Sequence, residues 1–168
     1  MKKILLISDT HSYLDPKLIK HIREADEVWH AGDIGNIDVC LEIEKLKPLK
    51  AVFGNIDDKD IRITYPENLF FDCESVPVFI THIGGYPGKY PTKIKTLLKE
   101  HKPKLFICGH SHILKVMYDK ELELLFINPG ACGVHGFHKV KTVVRFEIEG
   151  SDIKNLAVIE LGNRTSLN

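Results

Sequence analysis

The sequence predicts an α/β fold in which two sheets pack face to face and helices cover their outer faces. Three features lead to this prediction. Short apolar runs alternate with helical patterns in the first half, the last third has the alternation of antiparallel strands, and polar groups follow several apolar runs. We expect one domain over residues 1–168, with a core at 1–162 and a tail at 163–168, because no segment resembles a linker.

The first half of the chain alternates predicted strands and helices. The expected ranges are strands at 3–8, 27–31 and 49–53 and helices at 16–24 and 36–46. This alternation is typical of parallel strands joined by right-handed crossovers. The carboxyl ends of such strands meet at one edge of the sheet, where binding sites of open α/β sheets form.

The second half has a less regular pattern. The predicted elements are strands at 68–73, 76–82 and 104–108, a helix at 92–102, and antiparallel strands at 113–119, 122–128, 140–149 and 153–161. The polar segment 55–66 and the glycine-rich segment 84–88 have no predicted helix or strand.

The composition argues against several classes of protein. Lys plus Arg and Asp plus Glu are both 23, so the zero net charge does not favour binding to long nucleic acid. No apolar stretch approaches the ~20 residues of a membrane span. The apolar run after Lys3 stops at Ser8, too early for a signal peptide, so we expect a cytoplasmic protein without a membrane partner.

Polar side chains with metal-binding chemistry follow five of the predicted strands. They occur in the segments Asp9-Thr10-His11, Gly32-Asp33, Gly54-Asn55, His82 and Gly109-His110-Ser111-His112. Nitrogen and oxygen ligands without a thiolate suit borderline or hard divalent cations. The set is too large for one tetrahedral ion, so we interpret it as a two-metal site.

The first three candidates each have a structural alternative. Asp9 and His11 could be capping or solvated groups, but their place at the end of the first strand favours a ligand role. Asp33 follows the strand expected beside the first, and a carboxylate with two oxygens could bridge two cations roughly 3.5–4 Å apart. Asp33 could instead cap the helix that follows.

The remaining candidates differ in specificity. Gly54-Asn55 is a common turn dipeptide, although the neutral amide of Asn55 could bind a cation and keep the site attractive to phosphate. An isolated histidine such as His82 could be a hydrogen-bonded packing residue. The pair His110 and His112 is the most specific element, because two imidazoles at this spacing after a buried strand are unusual packing residues.

Taken in order, the motifs D-x-H, G-D, G-N, H and G-H-x-H resemble those of the calcineurin-like metallophosphoesterase superfamily. The chain length and the Asn128-Pro129-Gly130 turn resemble its small single-domain phosphodiesterase branch. The resemblance runs from Lys3 to about Gly130. It implies a four-layer α/β/β/α sandwich of two mixed sheets flanked by helices. It also implies one cation held by Asp9, His11, Asp33 and His112 and a second held by Asp33, Asn55, His82 and His110.

The resemblance further implies a metal-dependent phosphodiesterase that acts on a small substrate. A hydroxide bridging the two divalent cations would attack phosphorus, so Asp33, Asn55 and His82 would be catalytic through the bound ions. Manganese is the first expectation, and iron, nickel and zinc are alternatives, because this ligand set does not select one metal. A homo-oligomer stays open.

One motif departs from the superfamily pattern. Many members have G-N-H-[DE], in which the histidine assists the leaving group, but this chain has Gly54-Asn55-Ile56-Asp57. Ile56 cannot transfer a proton, and general acid catalysis typically contributes ~10²–10⁴-fold. We therefore expect a preference for good leaving groups such as those of aryl phosphodiesters.

Further polar residues are candidates for supporting roles. His30 could support the ligands or be a buried structural histidine, and Asp57 could orient a ligand histidine or belong to a solvated acidic turn. Tyr86 and Tyr90 could form a substrate wall or a structural loop. His135 could border the substrate or be an exposed loop histidine, and His138 in the same loop has the same alternatives.

Two other functions stay open at this point. A non-catalytic interaction scaffold on the same fold is known in a retromer subunit of the superfamily, which has lost part of the ligand set. Here every position is filled, and burying seven polar ligands without a metal would be costly. A nuclease is the third possibility, although the neutral charge weighs against it.

Overall fold

The structure, a computed structural model, describes residues 1–165. Its strands are β1 (Lys2–Ile7), β2 (Glu27–His30), β3 (Leu49–Ala51), β4 (Asn68–Cys73), β5 (Val76–Thr81), β6 (Leu105–Ile107), β7 (Lys115–Asp119), β8 (Leu124–Asn128), β9 (Val140–Glu149) and β10 (Asp152–Asn163). Its helices are α1 (Leu18–Glu24), α2 (Asp38–Glu44), α3 (Lys59–Thr64) and α4 (Thr92–His101). None of the helices in this described part is long and apolar enough to cross a membrane.

The strands of residues 1–165 form two mixed sheets of five strands each, which confirms the predicted fold class. The first sheet has the order β10-β9-β1-β2-β3, and the second has the order β4-β5-β6-β8-β7. In the first sheet β1, β2 and β3 are parallel, whereas β9 pairs antiparallel with β1 and β10. In the second sheet β5, β6 and β8 are parallel, and the edge strands β4 and β7 are antiparallel to their neighbours.

The side chains of β1 show how the layers arise. Ile4 and Leu6 belong to the core between the two sheets, whereas Leu5 and Ile7 belong to the cluster that packs against α1, α2 and α3. A strand that is buried on both faces has a continuous apolar run, as residues 4–7 do. A third cluster packs α4 on the outer face of the second sheet, with Ile94 against Phe106 among its members. The order of layers is therefore helix, sheet, sheet, helix.

Strand β8 departs from the antiparallel prediction for the last third of the chain. It is antiparallel to β7 but parallel to β6, with Leu105 opposite Leu125 and Ile107 opposite Ile127. β8 lies inside its sheet, and Phe126 and Ile127 are buried. Burial on both faces is typical of a strand with parallel neighbours, and alternation alone does not reveal it.

Helix α3 lies within the segment for which the sequence predicted no helix. The Asp58 side chain caps it by accepting hydrogen bonds from the backbone N–H groups of Asp60 and Ile61. Ile61 is its buried residue, so this short helix has too few apolar positions to show a helical period. At the carboxyl end, β10 continues to Asn163, past the predicted core boundary at 162, and residues 166–168 of the predicted tail lie outside the described residues.

The Glu27 carboxylate links the three parallel strands of the first sheet. It accepts hydrogen bonds from Lys2 of β1, from the Trp29 indole at 3.0 Å, and from Lys50 of β3 at 2.9 Å. Burial alone would raise the pKa of the Glu27 carboxyl, but these three donors outweigh it and lower the pKa to about 2. The ionised carboxylate therefore stabilises the folded state.

We expect Glu27→Gln to reduce the free energy of unfolding by about 2 kcal/mol near neutral pH. Because the pKa of Glu27 is lower in the folded state, its contribution is present above the unfolded-state pKa, near 4.5, and is lost as the pH falls toward 2. Urea unfolding at about pH 6 and about pH 3 checks this prediction. The difference in the free energy of unfolding between variant and wild type should be smaller at the lower pH. Glu100→Gln on the exposed surface of α4 is the control, and an equal difference at both pH values for Glu27→Gln would contradict the assignment.

Candidate metal centre

The loops that follow β1, β2 and β3 meet those that follow β5 and β6 at one edge of the molecule. Hydrogen bonds join the two sheets there. The His82 ring donates through Nδ1 to the Ala31 carbonyl at 2.7 Å, and the His110 backbone N–H donates to Asp9 Oδ2 at 3.2 Å. Within the second sheet, the Gly109 N–H donates to the His82 carbonyl at 3.0 Å and joins the loops after β6 and β5. Segments far apart in the sequence therefore converge at this edge, as the sequence predicted for the ends of parallel strands.

The first cluster contains Asp9, His11, Asp33 and His112. One potential ligand atom from each of these residues lies within 4.8 Å of all the others. His112 Nε2 lies 3.1 Å from Asp9 Oδ1, and His11 Nε2 lies 3.5 Å from Asp33 Oδ2. This is the same set that the resemblance assigned to one cation.

The second cluster contains Asp33, His82 and His110, again with ligand atoms within 4.8 Å of one another. His82 Nε2 lies 3.2 Å from Asp33 Oδ2. Asn55 joins this cluster, because its Oδ1 lies 3.0 Å from His110 Nδ1. Asp33 thus belongs to both clusters, as expected for a bridging ligand.

The two oxygens of the Asp33 carboxylate have different neighbours. Oδ2 is the atom that lies near both His11 and His82, whereas Oδ1 accepts the backbone N–H of Ile56 at 3.1 Å. The Ile56 N–H fixes the orientation of the carboxylate, so a single oxygen faces both clusters. The loop that carries Asn55 therefore also orients Asp33.

The donor atoms of the centre fit divalent cations. Asp9 Oδ1, His11 Nε2 and His82 Nε2 are buried and lack a well-formed hydrogen bond within residues 1–165. Buried polar atoms in native structures are normally paired, so three such atoms at one place indicate a ligand. The proton on His82 Nδ1, which the Ala31 carbonyl accepts, leaves the Nε2 lone pair of the neutral ring available to a cation.

The two carboxylates make the centre attractive to positive charge. Burial lowers the pKa of His82, but Asp33 and Asp9 outweigh it, and the pKa is raised. Burial likewise raises the pKa of Asp33, but His82 and the Ile56 N–H outweigh it, and the pKa is lowered. The site therefore favours a bound cation or a proton near these oxygens.

Five of the candidate ligands have left-handed backbone conformations. The φ angles are 55° at Asp9, 44° at His11, 54° at Asp33, 69° at His110 and 59° at His112. Non-glycine residues rarely adopt this region, and each such residue costs of order 1–3 kcal/mol. Tight turns directly after the strands impose these angles, which aim the side chains across the edge.

Glycines precede several ligands because no side chain fits there. A Cβ at Gly54 would lie 2.1 Å from Asp33 Oδ1, and a Cβ at Gly109 would lie 2.1 Å from Ser8 Oγ. The G-N and G-H-x-H motifs therefore reflect the close packing of one ligand loop against the backbone of the next. This physical reason for the glycines was not visible in the sequence.

His30 belongs to neither cluster, but it supports the loops that carry Asp9 and Asp33. It accepts the Gly32 N–H through Nδ1 at 3.1 Å and donates through Nε2 to Thr10 Oγ1 at 2.9 Å. Thr10 in turn donates to the Ile34 carbonyl at 2.8 Å. Burial lowers the pKa of His30 to about 3, so the ring is neutral and holds the loops of Asp9 and Asp33 together.

Asp57 does not orient a ligand histidine, and it is not in a solvated turn. Its buried carboxylate accepts the backbone N–H groups of Ile34 at 3.1 Å, Gly35 at 2.8 Å and Gly54 at 2.7 Å. Because both oxygens serve backbone donors, Asp57 fixes the loop after β2 to the loop after β3. The sequence could not show this, since the partners are backbone groups.

Arg62 of α3 is a supporting residue that the sequence did not reveal. Its guanidinium donates to the carbonyl oxygens of Asp57 at 2.7 Å, Asn55 at 3.2 Å and Gly54 at 3.3 Å, and it lies 4.5 Å over the Phe53 ring. It therefore holds the loop that presents Asn55. No motif marked it, because the helix that carries it was not predicted.

The Asn128-Pro129-Gly130 turn supports the histidine pair. Asn128 Nδ2 donates to the Gly109 carbonyl at 2.9 Å and to Ser111 Oγ at 3.1 Å. The turn that resembles the small single-domain branch therefore fixes the loop that carries His110 and His112.

The predicted substrate-wall residues have different environments. Tyr90 is not part of a wall at the centre, because its hydroxyl donates to Asp119 at 2.8 Å and its ring packs against Phe106 on the α4 side. Tyr86 is partly exposed, with the Lys115 ammonium 4.4 Å from its ring, and its role as a wall stays a prediction. The exposed His135 ring lies 4.7 Å from the His11 ring, so this residue borders the first cluster.

His138 lies on the same side as His135. Its ring is 5.2 Å from that of His112, and it donates through Nε2 to the Gly133 carbonyl at 2.8 Å. It therefore fixes the loop beside the first cluster.

Comparisons with known proteins agree with this geometry. The profile of a family described as "Calcineurin-like phosphoesterase superfamily domain" matches residues 1–151. A "Probable metallophosphoesterase" of Methanothermobacter thermautotrophicus is 31% identical over 132 residues, which cover 75% of this chain and 74% of that protein.

Solved structures are also similar to the whole architecture. The structure of an archaeal phosphodiesterase is 25% identical with a TM-score of 0.71, over 94% of this chain and 99% of that one. Vps29 from Chaetomium thermophilum is 16% identical with a TM-score of 0.76, over 96% of this chain and 94% of that one, which shows a shared fold.

We expect His112→Gly to be more stable than His112→Ala by about 1 kcal/mol in metal-free protein, because glycine adopts the left-handed region without steric cost. Both variants lose the same ring, so the comparison isolates the backbone. Urea unfolding in the presence of a chelator measures it. The control is the pair Lys99→Gly and Lys99→Ala inside α4. There the glycine variant should be less stable than the alanine variant by about 1 kcal/mol. Equal stability of the two His112 variants would show that this backbone is unstrained.

Proposed function

The chain belongs to the calcineurin-like phosphoesterase superfamily, and we propose that it is a divalent-metal-dependent phosphodiesterase acting on a small substrate. The observation that carries the proposal is the filled set of ligands around the Asp33 carboxylate. Its Oδ2 lies 3.5 Å from His11 Nε2 in one cluster and 3.2 Å from His82 Nε2 in the other. The similarity to an archaeal phosphodiesterase supports the diester specificity.

The residues of the centre have separate tasks in this proposal. Asp9, His11 and His112 would hold one cation, His82, His110 and Asn55 would hold the other, and Asp33 would be shared. Divalent cations at these positions would activate water and stabilise charge on the phosphoryl oxygens, with manganese as the first expectation. The amide of Asn55 adds no negative charge, which keeps the site favourable for a phosphate anion.

The supporting residues keep the ligands in place during the reaction. Asp57 and Arg62 fix the Asn55 loop, and His30 holds together the loops that carry Asp9 and Asp33. Because these contacts exist in the protein itself, the ligands need little reorganisation when a cation or substrate binds. No side chain of the centre is required as a covalent nucleophile.

The main test compares hydrolysis of bis(4-nitrophenyl) phosphate and of 4-nitrophenyl phosphate, first with a chelator and then with added Mn²⁺. We expect diester turnover that depends on the metal and that falls by about a hundredfold or more in Asp33→Asn. Asparagine tolerates the left-handed backbone at this position, so the variant tests the charge of the bridge and not the fold.

Asp152→Asn, at the exposed first position of β10, is the matched control and should retain full activity. Diester hydrolysis that persists with a chelator present and in Asp33→Asn would defeat the enzyme assignment.

The residue that follows Asn55 should determine the leaving groups that the enzyme accepts. Ile56 is exposed beside the centre and has no proton to give. We expect wild type to hydrolyse 4-nitrophenyl esters far faster than the matching alkyl esters. Ile56→His should narrow this gap by at least roughly tenfold, which is less than the ~10²–10⁴-fold that a fully positioned general acid contributes. Similar rates for alkyl and aryl esters in wild type would contradict the prediction.

A protein-interaction scaffold is the second candidate, and the similarity of fold to Vps29 favours it. A scaffold would show no turnover with any divalent metal and would retain a partner through purification. A nuclease is disfavoured by the zero net charge, and salt-dependent retention on DNA would revive it.

A further inference from the structure

A pocket of about 300 Å³ opens beside the second cluster. Its lining includes Phe53, Asn55, Arg62, His82, Ile83 and Ile94. Two of them, Asn55 and His82, are candidate ligands of the second cation, so the pocket is continuous with the metal centre. A group bound in it would adjoin a phosphate held at the centre.

The walls of the pocket combine apolar surface with a fixed planar cation. Phe53, Ile83 and Ile94 supply apolar walls, and the Ile83 side chain is 46% exposed although it neighbours a buried ligand. Arg62 is held by three carbonyl oxygens and by the Phe53 ring, so its guanidinium plane is fixed before any ligand binds. Guanidinium planes stack on planar groups and attract anions.

The charges around the pocket also suit an anionic substrate with an apolar arm. Lys93 lies 3.9 Å from Glu67, so these two charges offset each other and Arg62 remains as the cation nearest the Asn55 loop. The volume is at the lower end of the range for small-molecule sites, roughly 300–1,000 Å³, which suits one substituent and not an extended polymer.

We propose that this pocket is a subsite for one ester arm of the substrate, a planar apolar group such as an aryl ring, next to the phosphate at the cation clusters. The assignment rests on the proposed phosphodiesterase function and adds the class of substituent that it accepts. A phosphomonoester has a single ester arm, so only a diester can fill this subsite with one arm and present the other as the leaving group.

The test measures binding, so that it does not depend on turnover. Diphenylphosphinate and dimethylphosphinate carry the same anionic PO₂ group but no ester bond, and the Mn²⁺-loaded full chain would be titrated with each in a calorimeter. We expect wild type to bind the diphenyl compound about tenfold more tightly. Ile83→Ala should reduce this preference by about threefold to fivefold, because the apolar wall is shortened.

Ile113→Ala is the matched control. Ile113 directly follows His112, as Ile83 follows His82, and it is 64% exposed, but it does not line the pocket. The Ile113→Ala variant should prefer the diphenyl compound as strongly as wild type does. Thermal unfolding should show that the Ile83→Ala and Ile113→Ala variants are both folded.

The outcomes separate the two proposals. Equal binding of the phosphinates, or an unchanged preference in Ile83→Ala, would overturn the subsite, while metal-dependent diester hydrolysis would still support the function. If neither phosphinate bound and hydrolysis were also absent, both proposals would be overturned.

Discussion

The constraint on which the rest of the structure depends is the meeting of two parallel sheet segments at one edge. The loops after β1, β2 and β3 face those after β5 and β6, and they are joined by direct hydrogen bonds such as that from His82 to the Ala31 carbonyl. Little space remains at this edge, which accounts both for glycine at position 54 and for the left-handed backbone of Asp33. The packing of the sheets thereby imposes on the ligand residues a backbone conformation that would be unfavourable in isolation.

A network of polar contacts offsets this local cost. Asp57 accepts three backbone N–H groups from two loops, and Arg62 donates to three carbonyl oxygens of one of them. His30 and Asn128 perform the same task in the loops of the two sheets. The hydrogen bonds of Asp57 and Arg62 are charge-assisted and therefore stronger than neutral ones, and together with those of His30 and Asn128 they restrict each loop to one conformation. The ligand side chains are therefore placed before a cation arrives.

The strands and the ligand loops could be predicted from the sequence because their signals are local. Residues 4–7 form an apolar run that ends at a polar group, and the same pattern recurs before Asp33 and His110. The features that were missed depend on tertiary contacts. Helix α3 has Ile61 as its buried residue, Asp57 is held by backbone donors, and Tyr90 is drawn away by Asp119. The parallel pairing of β8 with β6 follows from its place inside the sheet, which alternation along the chain does not encode.

The position of β1 has a consequence for how the chain can fold during its synthesis. β1 is the central strand of the first sheet, and one of its two neighbours is β9, whose residues are made more than a hundred positions later. Until β9 has left the ribosome, one edge of this apolar strand has no partner and is open to pairing with other chains. Contacts of such long sequence separation form slowly, so we expect the first sheet to be completed only after β9 has emerged and to benefit from chaperones that shield the early strand.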